Sequence, residues 1–218
     1  MFSLSRSRQS VGVRSGFYSA AFLLQRMLAD QLDVDPTEIE IADITKLPPE
    51  NGMERNLAQI ILTDELPNGS GFVRRLYEDY AKILSQALNP DQPNSYLGRI
   101  HTPAHQHKCA DACYDCLKVY RNMNWHSLLD WRLGLGMLRL LSNASYKSGA
   151  DGKFDDFVEI RGWPAFAEKL RNQFINSFQE FSGDPREYKI MFKGLPAIRY
   201  GKNKTRLIRF SLDCMRRG

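Results

Sequence analysis

Apolar residues recur at helical spacing from the start of the ordered pattern: Phe17, Ala20, Ala21, Leu24, Met27 and Leu28 share one face. This predicts a helix from Ser15 or Gly16 to about Leu32, closed by the Asp35-Pro36 punctuation. Polar and apolar residues then alternate over Glu38-Ile39-Glu40-Ile41, as a half-buried strand requires. Pro48-Pro49 and Asn51-Gly52 mark a loop over 47–56, and Leu57–Thr63 reads as a second strand. The Gly-rich run Asp64-Glu-Leu-Pro-Asn-Gly-Ser-Gly-Phe72 leads into a helix ending near Leu88.

Residues 89–108 carry three prolines and three histidines and read as loop. From His126 to Leu141 a strongly apolar helix is expected, on Leu128, Leu129, Leu133, Leu135, Met137, Leu138 and Leu140. After a linker over 146–156, Trp163-Pro164 opens a helix with Phe166, Leu170, Phe174, Phe178 and Phe181 on one stripe, a core pattern. Strands are expected at 188–192, 196–200 and 206–211, the last two joined by the turn Gly201-Lys-Asn-Lys204. The sum is an α+β fold: a mixed sheet with packed helices, without internal repeats.

Composition bounds the class. The chain has 218 residues, 43% of them hydrophobic, enough for a real core. We expect a basic, loose N-terminus over 1–15 and one domain over 16–218. No apolar run is long enough to span a bilayer, and the first ten residues lack the apolar core of a signal peptide. A reducing, cytoplasmic setting is the expectation, with no membrane partner. The net charge is +5, but from Arg186 onward ten Lys/Arg face two acids. That stretch therefore carries +8 and the rest of the chain −3. Lys202, Lys204 and Arg206 are its candidates for nucleic-acid contact, since a cationic surface of this kind attracts phosphates; a solvated basic face is the plain alternative.

The most specific chemistry lies in Cys109-Ala-Asp-Ala-Cys113-Tyr-Asp-Cys116, three of the four cysteines of the chain. Thiolates this close converge on a metal ion, and the spacing suits tetrahedral Zn2+. A closed site requires a fourth donor. The candidates are His126, His107, His105, His101 and Cys214. His126 lies ten residues beyond Cys116, a loop that closes easily.

A second candidate is the turn Asn68-Gly69-Ser70-Gly71 between strand and helix, with Arg74 and Arg75 in the first helical turn. Such a turn can present free N–H groups to a phosphate, or its glycines can simply permit positive φ. No P-loop, helicase acidic box or G-x-S-x-G elbow is present, and no spaced carboxylate cluster accompanies the histidines. An NTPase or serine hydrolase is thereby excluded as the work of this chain alone, and a metal-dependent nuclease disfavoured.

Four stretches together resemble the MrfA-like zinc-binding domain family. They are Tyr18–Leu24 leading into Leu32–Pro36, then Asp64–Phe72, then Cys109–Cys116 continuing to Asn122, then His126–Leu133. The resemblance covers roughly Gly16 to Ser211. In that family the domain usually follows the motor domains of DExH-type DNA helicases, in repair and anti-phage defence. The resemblance thus implies a non-catalytic zinc domain that supports a motor, here in trans, and contacts DNA. The alternative is a protein–protein interaction module of a defence complex without DNA contact. It carries over the ligands Cys109, Cys113 and Cys116 only. Where many members have a further cysteine, this chain has Asn122. His126, just beyond that position, becomes the preferred fourth ligand.

Overall fold

The computed structural model describes residues 2–4, 11–47, 56–66, 69–89, 91, 95–177, 189–192, 195–200 and 206–209. Their contacts divide the chain into two compact units, Met1–Tyr146 and Lys147–Gly218, where the sequence reads as one domain from residue 16.

The first unit is built on α1 (Val11–Leu32). It starts four or five residues before the expected position. Its apolar face, with Ala20, Leu23, Met27 and Leu28, is buried in the main core. Two serines on this helix are also buried, and each is used. Ser15 donates to the carbonyl of Leu128. Ser19 Oγ accepts the amide of Asp130 at 2.8 Å. A buried hydroxyl without a partner would cost about 1–3 kcal/mol; here both fix the entry to α5 (Trp131–Ser142). That helix packs on α1 through Gly134. A Cβ there would lie 2.7 Å from the backbone carbon of Ser19 and 2.7 Å from Leu23 Cδ1. The close approach needs the missing side chain.

Three antiparallel strands complete this unit, in the order β1 (Phe2–Leu4), β3 (Asn56–Asp64), β2 (Ile39–Leu47). The β2–β3 register runs from Ile39 opposite Asp64 to Leu47 opposite Leu57, with an irregularity between Ile41 and Asp43. Strand β2 is therefore much longer than the four alternating residues suggested, because the bulge breaks the alternation at Ala42. Helix α2 (Phe72–Ala87) follows the Gly-rich turn and is kinked at Asp79.

The segment expected as loop before the cysteines holds two short helices, α3 (Tyr96–Ile100) and α4 (Pro103–Lys108). Both start by rule: Ser95 caps the amide of Gly98, and Thr102 caps the amide of His105 with Pro103 following. Helix α5 begins at Trp131, not His126, because the Asp130 carboxylate caps the amides of Arg132 and Leu133.

The second unit holds α6 (Val158–Arg161), α7 (Trp163–Ser177) and the antiparallel sheet β4 (Lys189–Phe192), β5 (Leu195–Tyr200), β6 (Arg206–Arg209). Its core joins Phe154, Ile160, Trp163, Ala167 and Ile175 to Leu195 and Ile198. The buried row of α7 is Trp163, Ala167, Arg171 and Ile175. Leu170 and Phe174 flank it, Phe166 is exposed, and Phe178 and Phe181 lie outside the described residues. The chain is α+β as expected, but among the described residues the single mixed sheet is replaced by two separate antiparallel ones.

Candidate metal centre

Helix α4 and the turn after it bring four ligand atoms together. They belong to His105, Cys109, Cys113 and Cys116, and all lie within 4.8 Å of one another. His105 and Cys109 are four residues apart, one helical turn, and the amide of Cys109 closes on the carbonyl of His105 at 2.8 Å. The chain then folds back through a tight turn. The carbonyl of Cys113 accepts the amides of Cys116 at 3.2 Å, Leu117 at 3.0 Å and Lys118 at 2.9 Å. In return the amide of Cys113 donates to Cys116 Sγ at 3.1 Å.

Three of the six separations match those of a tetrahedron. Bonds of about 2.3 Å to sulfur and about 2.0 Å to nitrogen place sulfurs about 3.8 Å apart and nitrogen about 3.5 Å from each sulfur. The Sγ atoms of Cys109 and Cys116 are 3.7 Å apart, those of Cys113 and Cys116 3.6 Å, and His105 Nε2 is 3.4 Å from Cys113 Sγ. The cysteines form no disulfide. Burial above all, then the facing sulfur of Cys116, pushes the Cys109 thiol up; burial also raises that of Cys116. Buried thiols with no cation resist ionising. A divalent ion among them reverses the balance and makes them thiolates.

The histidine is held as a ligand should be. Its Nδ1 lies 2.8 Å from the carbonyl of Ile100. A carbonyl can only accept, so Nδ1 carries the proton and Nε2 presents its lone pair to the sulfurs. Trp131 packs against the ring, with centroids 5.8 Å apart. The amide of Trp131 donates to Asp111 at 2.9 Å, and Arg132 Nη1 donates to the carbonyl of Ala110 at 2.6 Å. The knuckle is thus pinned to the start of α5. On its other side the Tyr96 hydroxyl donates to the carbonyl of Cys116.

The fourth donor expected from the sequence is His126, and the fourth residue of this group is His105. His126 is outside the group. Its Nε2 lies 2.9 Å from Asn122 Oδ1 and 3.1 Å from the carbonyl of Val119, both acceptors. That nitrogen is therefore a donor. Asn122, 1% exposed, brackets the same turn: its Nδ2 donates to Leu117 at 2.8 Å and its Oδ1 accepts the amide of Val119 at 2.9 Å. His107 is exposed and His101 half-buried, both outside the group, and Cys214 lies outside the described residues.

The Gly-rich turn is filled from within. The Asp64 carboxylate accepts the amides of Gly71 and Val73, both at 3.0 Å. It stands where an external phosphate was expected at this helix start. Gly69 and Gly71 have positive φ, 67° and 78°, which accounts for the glycines without a ligand. Ser70, Arg74 and Arg75 are exposed, and Arg74 pairs with Glu78 at 3.0 Å. Asn68, Lys202 and Lys204 lie outside the described residues; Arg206 opens β6.

Three thiol sulfurs and one imidazole nitrogen within 4.8 Å of one another define a zinc-binding domain, and the donor set fits Zn2+. Residues 20–117 match the family model described as the MrfA Zn-binding domain, so this segment is similar to that family. The match ends one residue past Cys116. No curated protein and no solved structure matches the chain. Among the described residues no helix is long and apolar enough to cross a membrane.

Proposed function

We propose that this protein is a non-catalytic accessory component of a DNA helicase system, whose zinc is held by His105, Cys109, Cys113 and Cys116. The observation that carries the non-catalytic part is the fourth donor. Zinc held by His105 and the three cysteines would have its four positions filled by protein donors, leaving none for water or substrate. Zinc here supplies cross-linking of a short turn to the helix before it. The association with a DExH-type motor, in DNA repair or anti-phage defence, is supported by the matched family. Contact with DNA is supported by the +8 stretch from Arg186 onward.

The test is to add the purified protein to a DExH-type motor that has no such domain. We expect about one zinc per chain, no ATP or DNA hydrolysis by the protein alone, and stimulation of DNA unwinding by the motor. Nucleic-acid hydrolysis by the protein alone, abolished by a chelator, would replace this reading with a metal-dependent nuclease.

A second reading, a protein–protein module without DNA contact, is favoured by one observation. The one helix start expected to hold a phosphate already holds the Asp64 carboxylate.

A further inference from the structure

The three cysteines of the metal centre are not equally protected. Cys109 and Cys116 are buried, whereas Cys113 is only half-buried and is followed by the exposed Tyr114 and Asp115. A small oxidant arriving from solvent therefore meets Cys113 first. Its neighbour in the same turn is Cys116, with the two Sγ atoms 3.6 Å apart. A disulfide needs about 2.05 Å, so the sulfurs have about 1.5 Å to close, a matter of side-chain rotation. The backbone holds them side by side without help from a metal. The carbonyl of Cys113 accepts the amides of Cys116, Leu117 and Lys118, and the amide of Cys113 donates to Cys116 Sγ at 3.1 Å. Cys109 is placed differently. Its sulfur is 3.7 Å from that of Cys116, but it is 2% exposed and caps the end of α4, a separate element.

The chemistry that follows balances with hydrogen peroxide as the oxidant. As metal ligands the sulfurs are thiolates. The Cys113 thiolate attacks one oxygen of the peroxide and breaks the O–O bond, giving a sulfenic acid and hydroxide. The Cys116 thiolate then attacks the Cys113 sulfur, forms the S–S bond and expels a second hydroxide. Two electrons have passed from the two sulfurs to the peroxide, and protons from water or buffer turn both hydroxides into water. The donors left to the metal are His105 and Cys109, one at each end of a single turn of α4. Two donors do not make a closed tetrahedral site, so zinc is lost.

We propose that the metal centre is a peroxide-sensitive switch, in which Cys113 is the sulfur oxidised first, Cys116 closes a disulfide with it, and α4 is thereby released from the turn that follows. This rests on the zinc reading above and gives that zinc a regulation. The turn itself keeps its place after oxidation. The Tyr96 hydroxyl still holds the carbonyl of Cys116, and the amide of Trp131 still holds the carbonyl of Asp111. The step is therefore reversible: reduction returns both thiols to positions beside Cys109 and His105.

The experiment treats the full-length zinc-loaded protein with hydrogen peroxide in the presence of a zinc-binding dye. Release of about one zinc per chain should accompany the loss of about two thiols. After alkylation of the remaining thiols, chymotryptic cleavage at Tyr114 separates Cys113 from Cys116. Mass spectrometry should then find these two joined and Cys109 alkylated. A phosphine reductant, itself taken to the phosphine oxide, should restore both thiols, and added zinc should rebind. Protein that holds no zinc before treatment overturns the zinc reading and the switch together. Zinc that stays bound under peroxide overturns the switch alone. So does release in which Cys109 is part of the bridge, in which Cys113 has gone on to the sulfinic acid, or which reduction with added zinc does not reverse.

Discussion

The Nε2 of His105 lies 3.4 Å from the Sγ of Cys113, with its Nδ1 proton already given to the carbonyl of Ile100. One turn of helix therefore delivers both an oriented imidazole and, at its end, the first cysteine. His105→Ala should lower zinc retention against a competing chelator by 10-fold or more. His126→Ala should leave retention near wild type and show instead a small loss of stability. The reverse order of effects in a chelator titration would return the fourth site to His126.

Asn122 separates support of the turn from metal binding. Its carboxamide satisfies the carbonyl of Leu117 and the amide of Val119 in a buried position. Asn122→Ala leaves both without partners and should cost about 1–3 kcal/mol in urea unfolding. Zinc stoichiometry should stay at one, because no ligand is lost.

Removing zinc should be visible in one part of the molecule. Trp131 packs on His105, whereas Trp163 belongs to the second unit. In a Trp163→Phe background, a strong chelator should shift tryptophan emission and lower the melting temperature of the zinc unit. Returning zinc should restore both.

Gly134 tests the α1–α5 contact. Alanine is the better helix former by about 1 kcal/mol. Against that, its Cβ would meet the Ser19 backbone at 2.7 Å, where nothing flexible can give way. Overpacking of this kind costs about 1–3 kcal/mol. Gly134→Ala should therefore be destabilising on balance, as thermal unfolding would register.

Asp35 gives a pH-dependent test. The Thr37 hydroxyl, then the Thr37 amide, holds its carboxyl below the ordinary 3.8. A depressed carboxyl stabilises the fold above its unfolded pKa, and this is lost as pH falls through the folded value. Asp35→Asn keeps a capping oxygen but no charge. The wild type should be the more stable at neutral pH, and the difference should vanish on acidification below about pH 4.

Much of the architecture could be read from periodicity. The apolar face of α1, the strand preceding the Gly-rich turn and the final three strands stand within a few residues of expectation, because each has a clean period. Strand β2 runs beyond its alternating stretch because its bulge at Ala42 breaks the alternation. The two helices before the knuckle leave no period in the sequence because they are shorter than the window in which a helical period shows. Their caps, Ser95 and Thr102-Pro103, were the legible signal. The same signal would have ranked His105 first, since a helix opened at Pro103 sets His105 and Cys109 on one face. The cysteines themselves were fully legible, as local spacing alone brings them together. What Asp64 does was not, because a side chain reaching across a turn to Gly71 and Val73 leaves no period in the sequence.

All four donors of the metal centre fall within 105–116, a span of twelve residues. Loops this short close at little entropic cost. An unfolded chain can therefore already gather part of the site around an ion. Metal held in part by the unfolded chain stabilises the fold less than metal bound by the fold alone. Zinc bound that early would act less as a final clamp than as a template: a corner of backbone at Cys116 onto which Trp131 and α1 would dock.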